Sequence, residues 1–382
     1  MGKVETHLTE QLEQVEWGEY KLGELFEVQT SKKRFDANKV EILGYGHPYV
    51  VRTALNNGIK GFLNEDPRYL NEGNTISFGQ DTATMFYQKE PYFTGDKIKI
   101  LKAKNDKFGE KNAQFFISLM TKAFSTFSWG TSSFNVKVIE NQKIFLPIQR
   151  GKIDFDFIER FLSQLEAFRL SQLEAYLLAT GLKDYKLNPE ENQVIMDFES
   201  GKVQWKEIRI IDLFNVKNTR NILSRDIVEN SGEIPYLSAS RENNGVSSYI
   251  SYDENYLDKG NCIFIGGKTF VVTYQEKDFY SNDSHNLSLY LKETRNRHNQ
   301  LFLASCIYKG LDYKYSWGDS ISNKKIQVDV IKVPMKNNIP DYDYMALLIS
   351  AIQKLVIKDV VLYADRKIAA TKQIIECNNT KR

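Results

Sequence analysis

Cysteine is scarce and poorly placed for cross-linking. The three present, Cys262, Cys306 and Cys377, are odd in number and far apart, which argues against a disulfide scaffold or a thiolate zinc site. They read as small buried hydrophobes of a reducing cytoplasm, the expected location. The four histidines, His7, His47, His285 and His298, form no pair at metal-ligand spacing. No apolar run reaches the ~18 residues that suggest a membrane helix, and no signal-peptide hydrophobic region opens the sequence. Residues 1–6 fit the loose N-myristoylation pattern, which is short enough to match by chance. An excess of one charge is also missing. Lys and Arg number 51 against 49 Asp and Glu, so the net charge is +2, not the strong basic footprint of a chain that grips polyanions by charge alone.

Catalytic signatures are missing too. Eight prolines include no Pro-Pro pair, so the chain lacks the Asn/Asp-Pro-Pro-aromatic loop with which amino-group DNA methyltransferases take up a flipped base. No Gly-rich F-x-G-x-G strand end is present for S-adenosylmethionine. Gly266-Gly267-Lys268-Thr269 looks like the end of a Walker loop but lacks the upstream glycine, and Gly79-Gln80-Asp81-Thr82 stands in its place earlier in the chain. Lone carboxylates such as Asp81 and Asp283 have no visible catalytic partner.

What is present is a repeat built around long helices. Residues 154–180 place Ile158, Phe161, Leu162, Leu165, Phe168, Leu173, Tyr176 and Leu177 at the three-and-four spacing of a one-sided helix. Asp154 or Asp156 can cap its start and Gly181 its end. At about 1.5 Å per residue the rod is about 40 Å long. DFDF at 154–157 returns as DYDY at 341–344, a shift of 187 residues, and a second striped helix follows. KIFLPIQ precedes the first helix and VIKVPMK the second. Trp17 and Trp205 match, as do Pro48 and Pro235, Asn56-Asn57-Gly58 and Asn243-Asn244-Gly245, Tyr87-Gln88 and Tyr274-Gln275, and Ser128-Trp129-Gly130 and Ser316-Trp317-Gly318, all at a shift of 187 or 188. The expected fold class is α+β. Two repeated α/β units at 1–153 and 205–340 are each followed by a long helix, at 154–181 and 341–376, with a linker at 182–204. Residues 1–16 read as a short surface helix.

Neither helix can leave its stripe in water, so the two are expected to pair as an antiparallel coiled coil, with Ile158, Phe161, Leu165, Phe168, Leu173 and Tyr176 facing Leu348, Ile352, Leu355, Val356 and Val360. An apolar surplus would dock partner helices; the alternative is that the whole stripe is intramolecular core. Such a rod would span roughly 10–12 base pairs at about 3.4 Å each.

The chain resembles the specificity subunit of type I restriction–modification systems and their type IIB relatives. The resemblance rests on W-x-x-x-x-L-x-x-L-F at 17–26, echoed at 205–214, and on NNG-x-x-x-[FY] at 56–62 and 243–249. It rests also on L-x-x-GN at 70–74 and 257–261, and on the hydroxyl-rich loops at 128–133 and 316–322, all in the same order in both halves. It implies that the two units are target recognition domains, each reading half of a bipartite double-stranded DNA site. It further implies that the helices set the spacing and dock DNA methyltransferase (modification) subunits, two of them. The chain itself would hold no cofactor or metal. S-adenosylmethionine would belong to the partners, and whether restriction or motor subunits with Mg2+ and ATP join is left open. Competing readings are a protein-binding scaffold or inhibitory orphan subunit of the same fold, and a hydrolase in a duplicated fold.

Phosphate and base contacts call for Lys, Arg, Asn, Gln and small hydroxyls. The expected DNA-binding residues of the first unit are Lys32, Lys33, Arg34, Arg52, Asn56, Asn57, Lys60 and Gln80, with Ser128, Thr131 and Ser132. Those of the second are Arg220, Arg225, Arg241, Asn243, Asn244, Lys268 and Thr269, with Ser316, Ser320 and Ser322. Asn-Asn-Gly is also good turn chemistry without a ligand. Trp129 and Trp317 read as core. Residues 32–34 line up with 220–222 and 79–83 with 266–270, and the differences there predict two different half-sites.

Overall fold

The computed structural model describes residues 3–125, 134–293 and 296–379, without the side chains of 3–5 and 371–379. The chain divides into two compact units, Met1–Leu173 and Glu174–Arg382.

In the first unit four antiparallel strands lie in the order Phe26–Thr30, Ile98–Ala103, Thr75–Gly79, Met85–Gln88. Thr75–Gly79 is buried at every position, which is why TISFG shows no polar alternation. A smaller sheet sets His47–Val50 between Ile59–Leu63, antiparallel, and Phe93–Thr94, parallel. A third pairs Glu16–Lys21 with Lys143–Gln149, which turns through Lys152–Ile153 into the helix Phe155–Ala179. The helix Ala113–Phe124 buries Phe116, Met120 and Phe124. The core is aromatic: the rings of Phe26, Phe108 and Phe116 meet edge to face with centroids 5.4, 5.5 and 6.0 Å apart, the geometry that ring quadrupoles favour.

The second unit repeats this. Its four-stranded sheet is Phe214–Asn218, Leu287–Leu291, Cys262–Gly266, Val271–Gln275, and its smaller sheet sets Ile234–Leu237 between Val246–Ile250 and Tyr280–Ser281. Trp205–Arg209 pairs with Val330–Lys336, which leads through Ile339–Pro340 into the helix Tyr342–Asn379. The likeness extends to single contacts. Trp17 lies opposite Pro147 and stacks on Phe115 at 6.4 Å, and Trp205 lies opposite Pro334 and stacks on Phe302 at 6.2 Å.

Both long helices start on the same cap. Asp154 Oδ1 accepts from the Phe157 N–H at 2.9 Å and Asp341 Oδ1 from the Tyr344 N–H at 3.0 Å, satisfying a first-turn donor. Of the two candidate caps, Asp154 is the one used. Gly181, at φ +71°, ends the first helix as expected.

Two expectations need correction. Residues 182–204 are not simply a linker: they contain the helix Pro189–Glu199, opened by an Asn188/Glu191 capping box with Pro189 at the first helical position, where proline starts a helix rather than breaking it. It is the counterpart of the N-terminal helix Lys3–Gln14, and Leu8 and Val194 enter the two cores from these helices. The repeat is therefore short helix, domain, long helix.

The stripes of the long helices also differ from a helix–helix seam. Ile158 and Phe161 are buried in the first domain's own core, and Leu165 and Phe168 pack against it. Leu348 is buried in the core of the second. Tyr176, Ile352, Leu355, Val356 and Val360 are exposed, Val356 at 74%, while Val361 and Ala364 are buried. Leu173 is half-buried. The start of each helix must cover its own sheet before it can face anything else, and spacing alone does not say which neighbour a stripe meets. Within the second unit, Lys183 joins Glu174 of the first helix to Asp365 of the second, the latter at 3.0 Å.

Glu191 ties the helix Pro189–Glu199 to the second long helix. It is 2% exposed and accepts from Ser350 at 2.7 Å and Lys354 at 3.0 Å. Burial pushes its carboxyl up, but the Asn188 N–H, Ser350 and Lys354 outweigh this and hold it below its ordinary 4.5. Lys354→Ala should destabilise the second domain by about 1.5–3 kcal/mol, the cost of removing a charged partner from a buried acceptor. Because the pKa is lowered on folding, that contribution is present above pH 4.5 and is lost as pH falls through the folded value. Thermal unfolding of the variant should therefore differ most from the parent near neutrality and converge with it in acid.

Candidate nucleic-acid interface

In each domain the four-stranded sheet and the sheet centred on His47–Val50 or Ile234–Leu237 meet at the Asn-Asn-Gly turn. Asn56, Asn57 and Gly58 take φ values of 47°, 55° and 77°, and Asn243, Asn244 and Gly245 take 46°, 54° and 83°, left-handed conformations that Asn and Gly tolerate best. The Asn56 amide donates to the Ile59 carbonyl at 3.0 Å, and that of Asn57 to the Tyr87 carbonyl on the four-stranded sheet at 3.1 Å. Gln88 donates back to the Asn57 carbonyl at 3.0 Å. In the second domain Asn243 donates to Val246, Asn244 to Tyr274 and Gln275 to Asn244, at 3.1, 3.0 and 2.9 Å. The four asparagines expected at DNA thus have their amide donors engaged in the fold.

Beside the first turn lies an open cleft of about 1110 Å³. It brings together Arg34, Arg52 and Lys60 of the expected set, with Thr82 and Asp96. Arg34 pairs with Asp96 at 2.8 Å, both well exposed. Arg52 pairs with Asp81 at 2.5 Å and Lys97 meets the same carboxylate at 2.8 Å, so Asp81 has two cationic partners that spacing in the sequence did not reveal. Lys33 lies outside the cleft lining, its ammonium 4.6 Å from the Phe35 ring centre and 4.4 Å from that of Tyr69. The Lys32 N–H donates to Asn71 at 3.1 Å. The Gln80 amide donates to the Phe134 carbonyl at 3.0 Å, its N–H donates to the Lys97 carbonyl and its own carbonyl accepts from the Phe134 N–H. Ser128, Thr131, Ser132 and Trp129 lie outside the described residues.

The second domain has a smaller cleft of about 290 Å³, which brings together Lys268, Thr269 and Trp317 with Ser238, Ser240 and Asp283. Trp317 is 80% exposed, against the expectation of a core residue; the loop after the helix Arg297–Leu311 carries it outward. Lys268 meets Asp283 at 2.9 Å, and His285 bonds the same carboxylate through its ring at 2.7 Å and its N–H at 2.9 Å. Burial alone would raise Asp283, but Lys268 and His285 hold it at about 2. Thr269 Oγ1 donates to the Ala239 carbonyl at 2.6 Å. Arg220, Arg225, Arg241, Ser316, Ser320 and Ser322 do not line this cleft. The Arg220 N–H donates to Asp258 at 2.9 Å, Arg225 lies 3.7 Å from Asp226, and Arg241 immediately precedes the turn. Ser316 closes a tight backbone pair with Asp319, the Ser320 carbonyl accepts from Lys325, and Ser322 caps Asn323–Ile326. Ser238, Ser240 and Asn282 are lining residues missed in the sequence; their only signal was their equivalence in the repeat to Val51, Thr53 and Gly95 of the first cleft.

The repeat also resolves the alignment at residues 32–34. The Phe35 N–H donates to the Thr94 carbonyl, and the Ile222 N–H to the Ser281 carbonyl, both at 2.9 Å. Ile222 therefore takes the place of Phe35 rather than Arg34, and the first domain's loop is one residue longer. Lys60 and Ser247 occupy equivalent positions in the two domains, each at the bulge of its own strand pair. Among the described residues no group of His, Cys, Asp and Glu could hold a metal ion, and no helix is long and apolar enough to cross a membrane.

A duplicated sheet pair with a charged or polar cleft in each copy, each leading into a long helix, defines a two-headed recognition protein. The type I restriction modification DNA specificity domain matches the chain twice, over residues 14–175 and 202–371, and the chain belongs to that family. It is similar to the type II restriction enzyme specificity subunit S.BcgI of Heyndrickxia coagulans, 26% identical over 338 residues, which cover 87% of this chain and 93% of that one. The solved S subunit of a type I restriction-modification system from M. genitalium shares its fold, with a TM-score of 0.55, 13% identity and 95% of each chain covered. The chain is thus a DNA specificity subunit of a restriction–modification system.

The unequal clefts predict unequal charge contributions. In a salt titration of DNA binding by the assembled complex, Lys60→Ala should lower the slope of log K against log salt by about 1, the effect of one lost phosphate contact. Ser247→Ala, at the matching position, should leave the slope unchanged.

Proposed function

We propose that each domain reads one half of a bipartite DNA site, that the long helices pair and set the distance between the halves, and that modification subunits dock on the helices. The observation carrying this reading is the contrast between an identical scaffold and dissimilar clefts. The Asn-Asn-Gly locks agree bond for bond, while Arg52 and Lys60 in one domain give way to Ala239 and Ser247 in the other. One fold reading two sequences needs that combination. Ile352, Leu355, Val356 and Val360 offer an exposed apolar face on the second helix, of the kind that partner helices cover. On this reading catalysis and S-adenosylmethionine belong to the modification subunits, of which two fit the duplicated chain.

The test is a map of modified bases in a host without DNA methylation that expresses this chain with its modification subunit. A split motif with a fixed gap is expected. Inserting about seven residues after Leu170 lengthens the first helix by about 10 Å and should widen the gap by roughly 3 base pairs without changing either half-site. A soluble complex that modifies no split motif would sink the reading.

A further inference from the structure

We propose that Arg52 is the side chain with which the first domain selects a guanine, and that Asp81 aims it; the inference rests on the DNA-reading role given above. The Val51 N–H donates to the Gly58 carbonyl at 2.8 Å, and the Ser238 N–H donates to the Gly245 carbonyl at the same distance. The next residue in each chain segment therefore occupies the same place, and it is Arg52 in one domain and Ala239 in the other. One cleft carries a guanidinium where its twin has a methyl group.

Arg52 is not a loose surface cation. Its side chain is 33% exposed, against 69% for Arg34 on the same cleft. Its Nη1 donates to Asp81 Oδ2 at 2.5 Å, and Asp81 is itself held by Lys97 at 2.8 Å. One corner of the fork is fixed, and Arg52 lines the cleft together with Thr82. In the major groove guanine offers two adjacent acceptors, O6 and N7, which a planar fork meets with two bonds. Adenine and cytosine present an amino donor there, and a guanidinium has no acceptor to meet it. A side chain already ordered by Asp81 loses little freedom on binding, so the discrimination is not offset by ordering. Arg34 and Lys60, which are exposed, suit phosphates instead.

The experiment is the modified-base map repeated with Arg52→Ala, Arg52→Gln and Asp81→Asn in the full complex. The wild-type motif should contain a guanine that Arg52→Ala relaxes, lowering preference at that one position by roughly 5- to 150-fold, the worth of one bidentate pair. The other half-site should be read unchanged. Arg52→Gln should move the preference at that position toward adenine, which glutamine pairs bidentately. Asp81→Asn should give a smaller loss confined to the same position; a purely structural role would lower modification evenly across the motif. If Arg52→Ala abolishes modification, Arg52→Gln decides: a changed letter supports the inference, whereas an unchanged guanine, or no modification with either variant, overturns it. Absence of guanine from both wild-type half-sites also overturns it. A wild-type complex without a split motif would instead remove the underlying reading.

Discussion

Each domain depends on one small lock. A left-handed turn leaving the three-stranded sheet is fastened to the last strand of the four-stranded sheet by a reciprocal pair of bonds, Asn57 to Tyr87 and Gln88 to Asn57 in the first domain, Asn244 to Tyr274 and Gln275 to Asn244 in the second. Gln88 and Gln275 are 3% and 4% exposed. A buried amide left without its acceptor costs about 1–3 kcal/mol, so the lock is either fully made or strongly penalised. The two sheets are thereby tied together at the turn, and the clefts open beside the turns. Asparagine serves here because it tolerates positive φ and carries its own donor; glycine in its place would keep the backbone and lose the lock.

This division of labour explains how a nearly neutral chain can be a DNA-recognition protein. The scaffold engages its turn asparagines internally, and a few of the 51 Lys and Arg residues line the clefts. Arg34, Arg52 and Lys60 share one cleft, while the other offers Lys268 among hydroxyls and an exposed indole. Pairing with Asp81, Asp96 and Asp283 lowers the net charge without removing directional donors. Charge held in this way favours selective recognition over non-specific attraction, since phosphate attraction follows the number of cations and base reading follows their geometry.

The duplication, the long helices and the turn were legible in the sequence because each rests on a local rule: a repeat at fixed offset, a three-and-four stripe, an Asn-Asn-Gly triplet. The roles of individual polar residues were not. Gln80 has the composition of a base reader, yet it bonds a carbonyl 54 residues away, and no local pattern announces such a partner. Asp81 looked solitary because Arg52 and Lys97 reach it from other segments. Trp317 was misread because tryptophan's burial depends on where a loop points it. The helix Pro189–Glu199 was hidden by polarity and by proline, although in retrospect Asn188-Pro189-Glu190-Glu191 has the composition of a helix start.

The long helices show the same limit of pattern reading, and their division of tasks follows from it. A single apolar stripe covers two kinds of surface in succession. From Ile158 to Phe168 it belongs to the first domain's core, so that domain is seated on its helix and moves with it. Beyond that stretch the side chains change character: Tyr176 is exposed, while Glu174 is drawn toward Lys183. The second helix runs from buried Met345 and Leu348 through exposed Leu355 and Val356 to buried Val361 and Ala364. On the reading proposed above, a helix whose first turns pack on a domain can change length beyond them without disturbing that domain's fold, so that spacing and recognition are separable properties of one chain.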